Sequence, residues 1–102
     1  MTPGLFTPRA RRELRQAAEW IAADNPIAAE NLLATALAAA RLLTTQKPLL
    51  ARVQLSLAPA RYRFWSLRGY PYLLVIDTEN DPPVVARFVH QARDLPAVLD
   101  DL

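Results

Sequence analysis

Up to Leu43 the apolar residues of this chain recur at helical spacing; from Arg61 onward they recur at strand spacing. That change of period limits the fold more than any other feature. An all-helical or all-strand architecture cannot absorb it, and 102 residues leave room for one domain rather than two. Residues 1–102 must therefore join a helical layer to a sheet around a single core.

The helical half carries two copies of one start signal. In Thr7-Pro8, threonine is an N-cap and proline takes the first helical position, where its missing N–H does no harm. The helix predicted from there runs to about Ala23, with Leu14, Ala17, Ala18, Ile21 and Ala22 on one face and arginines on the other. Asn25-Pro26 starts a second helix to about Leu43, striped by Ala29, Leu32, Leu33, Ala36, Leu37 and Ala40. The short gap between them forces an antiparallel hairpin. The hydrophobic fraction of 52% is enough for one core, but alanine supplies much of it, so the helices should pack closely around a thin core. A short extended segment, Gly4-Leu5-Phe6, precedes the hairpin.

From Thr44 to Pro59 the pattern is weak, and the segment is expected to connect the hairpin to the sheet. Three strands are predicted, at about Arg61–Leu67, Tyr72–Thr78 and Val84–His90. Arg68-Gly69-Tyr70-Pro71 and Glu79-Asn80-Asp81-Pro82-Pro83 are turn material, short enough to make an antiparallel meander. In the first strand Tyr62, Phe64 and Ser66 face one way, and Arg61, Arg63 and Trp65 the other. In the third, alternation puts Val84, Ala86, Phe88 and His90 on one face and Val85, Arg87, Val89 and Gln91 on the other, with Arg87 marking the solvent side. A last short helix starts near Asp94, its expected cap, and returns Leu95, Val98 and Leu99 to the core. The two tryptophans, Trp20 and Trp65, are expected to pack, although Trp65 among arginines could equally serve a contact patch. The order is β-α-α-β-β-β with a short C-terminal helix: an α+β fold with a helical hairpin on one face of a small antiparallel sheet.

Several function classes drop out. One histidine and no cysteine give no metal-ligand set and no disulfide, and a reducing cytoplasm suits such a chain. Two glycines cannot build a phosphate loop, and no nucleophile elbow is present. No cofactor is expected. The N-terminus lacks the layout of a secretion signal. Glu30, Asn31 and Arg41 interrupt the longest apolar stretch, so no membrane is expected.

Net charge is only +2, yet all but one of the 12 basic residues are arginine, and they cluster. Arg9, Arg11, Arg12 and Arg15 crowd the first helix; Arg61, Arg63 and Arg68 fall in a stretch without acids. Such stripes can attract an anionic partner, or they can simply be solvated surface. The third strand ends V-V-A-R-F-V-H-Q-A-R-D-L, which sets His90, Arg93 and Asp94 where a strand leaves a sheet. His90 could exchange a proton near neutral pH. It could equally be a hydrogen-bonded rim residue, with Arg93 pinning the sheet end.

The order of elements, the Y-P-Y-L-L-V-I-D strand at Tyr70–Asp77 and the terminal R-F-V-H-Q-A-R-D-L together resemble the RelE/ParE superfamily of type II toxin–antitoxin toxins, the ParE branch more than the RelE branch. The resemblance spans nearly the whole chain and is strongest from Arg61 to Leu95. It implies a small cytoplasmic toxin neutralised by a cognate antitoxin, with DNA gyrase as the target of ParE-like members and messenger RNA on the ribosome as that of RelE-like ones. Direct contact with nucleic acid is left open. If the chain were a metal-independent RNase, His90, Arg68 and Arg93 would carry the cleavage, with Arg63 as a further source of positive charge. RelE-like nucleases commonly place a tyrosine or another polar group after the last strand, whereas here L-P-A-V-L-D-D-L offers no tyrosine and two aspartates that repel RNA. The expectation is therefore a toxin that binds gyrase and has no catalytic residues. Arg9, Arg12, Arg61, Arg63, Trp65 and Arg87 are candidate contacts with antitoxin or target, joined by Arg11 toward the antitoxin. A degenerate toxin kept as an antitoxin-binding or DNA-regulatory partner is a third reading.

Overall fold

A computed structural model describes residues 5–45, 59, 61–80 and 82–102. Most of the expected connector lies outside these. Two helices come first, α1 (Pro8–Ala22) and α2 (Pro26–Thr45). Strands β1 (Tyr62–Ser66), β2 (Tyr72–Asp77) and β3 (Val84–His90) follow, and α3 (Leu95–Asp101) closes the described chain.

Helices α1 and α2 each begin where a side chain can satisfy an amide left over by the first turn. The Thr7 hydroxyl accepts from Ala10 N–H at 3.1 Å, and Asn25 Oδ1 accepts from Ala28 N–H at 3.1 Å. Between the helices, Asp24 and Asn25 N–H both donate to the Ile21 carbonyl, which closes the hairpin turn.

The sheet has the order β1-β2-β3, antiparallel throughout. All six residues of the central strand β2 are buried. Leu74, Ile76 and Tyr72 face the helices, where they meet Leu32, Leu43, Phe6 and the small residues Ala10, Ala18, Ala29, Ala36 and Ala40. Leu73 and Val75 face the other way and join Phe64, Val89 and Val98 in a smaller cluster beneath α3. Alanines make up much of the helical side of this core. By length and composition alone α2 could cross a bilayer, but Ala29, Leu32, Ala36, Ala40 and Leu43 turn one side of it into this core.

Four details depart from simple patterning. Among the described residues before α1 there is no strand; Phe6 makes a single parallel bridge to Val85. In β3 the register shifts between Val75 and Ile76, which pair with Arg87 and Val85 and leave Ala86 as an extra residue. This bulge sends both Val85 and Phe88 toward the helices, where strict alternation would have separated them. Leu33 is 41% exposed and stands off the buried stripe of α2. Trp20 is not a packing residue: it is 79% exposed.

Candidate functional site

The β3 edge turned away from β2 would be a template for pairing with another chain if left open. Here it is closed along its length. Leu5 and Thr7 exchange backbone hydrogen bonds with Val85, and the Thr7 hydroxyl donates to the Ala86 carbonyl. Further along, Phe88 N–H donates to Glu13 Oε1 at 3.0 Å, and His90 N–H donates to Asp94 Oδ2 at 3.1 Å. Two carboxylates thus finish what the N-terminal segment begins.

The strand end itself is a clasp made from five consecutive residues. Asp94 N–H donates to the His90 carbonyl, while the Asp94 carboxylate accepts the His90 amide. Arg93 N–H donates to His90 Nδ1 at 3.1 Å, and the Arg93 guanidinium lies on Asp94 at 2.9 and 3.2 Å. Because Nδ1 accepts, the proton of a neutral imidazole sits on Nε2. The Arg93 hydrogen bond, with help from the His90 amide, holds the Asp94 carboxyl below the usual range against a smaller opposing effect of burial. The Asp94 side chain is spent on this clasp and does not cap α3. Only its backbone carbonyl begins the helix, accepting from Val98 N–H.

Beside the clasp is a cavity of about 240 Å3. Tyr72, Phe88 and His90 line it from the sheet, Gln16, Ala17 and Trp20 from α1. Tyr72 stacks on Phe88 at 5.0 Å and meets the edge of His90 at 5.6 Å, so the imidazole is held by packing as well as by its hydrogen bond. His90 and Arg93 are brought together here. Arg68 stands exposed on the β1–β2 turn and does not line the cavity.

Arg87 does not mark a solvent face. Its side chain is 12% exposed, paired to Glu13 at 2.9 Å and reaching Asp101 at 3.4 Å. Asp101 also binds Arg9 at 3.1 Å. One chain of charges therefore ties α1, β3 and α3 together. At the far edge of the sheet Arg61 binds Asp77 at 2.7 Å and Glu79 at 3.2 Å, and lies over the Tyr62 ring. Burial opposes ionisation of Asp77, but the Arg61 hydrogen bond and the Glu79 amide outweigh it, and the carboxyl sits below its usual range. Arg63 donates to the Tyr62 carbonyl, and Trp65 is half-buried against the helical side of the core. Arg12 is exposed on α1 and has no ion-pair partner among the described residues.

Glu13 and Gln16 were not singled out by sequence reasoning, and Trp20 was read there only as a packing residue. Glu13 carried one signal: it is the only acid before Glu19, in a helix otherwise crowded with arginine. No group of metal-ligating side chains occurs among the described residues.

A family model described as ParE toxin of type II toxin-antitoxin system, parDE, matches residues 5–95. No curated protein and no solved structure matches the chain.

Proposed function

The chain belongs to the ParE toxin family of type II toxin–antitoxin systems, and from that premise we propose that it acts in the cytoplasm by binding and inhibiting DNA gyrase. A cognate antitoxin holds it inactive. The observation that carries the reading is the engagement of the His90–Asp94 stretch with itself. RNA cleavage by a 2′-hydroxyl needs a proton acceptor and a cation free to meet the phosphorane. His90 Nδ1 already accepts a backbone amide, and the Arg93 guanidinium already lies on Asp94. The acids of α3 stand close by, with Asp101 exposed. These residues close the strand; they do not form a prepared phosphate site.

The antitoxin would cover apolar surface left open by the helical hairpin, and its acids would meet Arg12 and its neighbours on α1. Arg11 and Arg12 are the least encumbered of the candidate contacts, both exposed and without an ion-pair partner among the described residues. Arg9, Arg61 and Arg87 hold internal carboxylates that a partner would have to displace, and Arg63 holds a backbone carbonyl.

The test is expression without antitoxin, followed by growth, supercoiling by purified gyrase, and transcript integrity. Growth arrest with gyrase inhibition, intact transcripts and persistence in His90→Ala is expected. Specific transcript cuts that disappear in His90→Ala would replace the reading with an RNase. Absence of toxicity, with antitoxin binding retained, would identify a degenerate toxin.

A further inference from the structure

Along the hairpin, α1 and α2 leave a groove of about 530 Å3. Its floor includes Ala18 and Ala29, and the large apolar side chain of Leu33 is 41% exposed at its side. The charges around it are sorted by sign. Arg11 and Arg15 border the half away from the α1–α2 turn; Glu19 and Glu30 border the half beside it. Glu19 and Glu30 each lie about one helical turn from the bend, so the antiparallel hairpin sets them across the groove from one another. None of the four has an ion-pair partner among the described residues. The folded chain thus leaves two cations at one end of an apolar groove and two anions at the other.

A surface of that kind is complementary to itself. A two-fold axis perpendicular to the groove carries Arg11 and Arg15 of one copy onto Glu19 and Glu30 of the other, and does the same in reverse. The alanine floor permits close approach of helices, and the two hairpins would meet as a four-helix layer with Leu33 withdrawn from water. We propose that this groove is the contact of a symmetric homodimer of the chain. The dimer covers the exposed face of the hairpin when no other partner does. The inference rests on the hairpin alone and stands whether or not gyrase is the target.

Sedimentation of the purified full-length chain tests it. The wild type should dimerise reversibly, more weakly at high salt. Arg11→Glu/Arg15→Glu makes both ends acidic, and Glu19→Lys/Glu30→Lys makes both ends basic. Each of these variants alone should dimerise on the order of a hundredfold more weakly, because like charges now meet at both ends. An equimolar mixture of the two should form a heterodimer, and the variant carrying all four reversals should dimerise again. All four positions are exposed, and helix content by circular dichroism would verify folding. A wild type that stays monomeric to its solubility limit overturns the proposal. So does either charge-reversed variant dimerising as well as the wild type, or a mixture that fails to associate.

Discussion

The Glu13 carboxylate of α1 accepts both the Arg87 guanidinium and the Phe88 amide of β3, partners 74 and 75 residues away in the chain. One side chain thereby satisfies a largely buried cation and seals an open strand edge.

Glu13→Ala removes both functions at once. It leaves Arg87 to the exposed Asp101 alone and the Phe88 amide without an acceptor. Urea denaturation should report a loss of about 2–4 kcal/mol, the range expected when one partner of a buried, hydrogen-bonded pair is deleted. Glu13→Gln keeps an acceptor for the amide and should lose less. Arg87→Met, which removes the cation and keeps apolar bulk, should cost less than Glu13→Ala.

Under the proposed function the clasp at the end of β3 is structural. Asp94→Ala strands the His90 amide and should cost about 1–2 kcal/mol, whereas Asp94→Asn retains an acceptor and should cost less. Both are read by thermal or urea unfolding. At matched levels of folded protein, gyrase inhibition should be the same in Asp94→Asn and the wild type. A large loss of inhibition with unchanged stability would show that the strand end meets the target.

Asp77 and Asp94 both have carboxyl groups held below their ordinary range in the folded protein. A depressed folded-state pKa favours the native state at pH above the unfolded value, about 4 for aspartate. That contribution is lost as pH falls through the unfolded value and then the folded one. Stability measured from pH 7 to pH 2 should therefore hold until about pH 5 and fall below it. In Asp77→Asn/Asp94→Asn the fall should be shallower. An unchanged acid limb would mean that other carboxylates dominate it.

Gly69 turns the chain between β1 and β2 with φ at +86°. A Cβ added there would meet nothing within 4 Å, so only backbone conformation opposes substitution. Gly69→Ala should cost about 1 kcal/mol through the left-handed backbone alone. A much larger cost would point to a contact not provided by the turn.

The helices and strands were legible because each has a local cause. Thr7-Pro8 and Asn25-Pro26 start helices by capping, and Val84–His90 was bounded correctly by its apolar run. The family could be read from Arg61 to Leu95 for the same reason, since a short meander writes its order directly into the chain. The faces of β3 were not legible. Period-2 reasoning assumes an unbroken ladder, and the extra residue at Ala86 inverts it for Val84 and Val85. Trp20 and Leu33 were misjudged because periodicity locates an apolar face without saying whether another element covers it.

The sequence by itself determined the fold class, the order of elements from α1 onward, the exclusion of cysteine chemistry and the membership signalled by the last two strands of the chain. The tertiary structure decided which charges are free. Arg87 looked like a surface residue and is enclosed by Glu13 and Asp101; Arg93 could be read as a free cation or as a pin for the sheet end, and it is held by Asp94. Arg11 and Arg15, which could be read as an anion-attracting stripe or as solvated surface, stand with Glu19 and Glu30 sorted by sign along one groove. Local spacing fixes where a side chain sits on its own element, but ion pairing depends on distances between elements far apart in the chain, and only folding sets those.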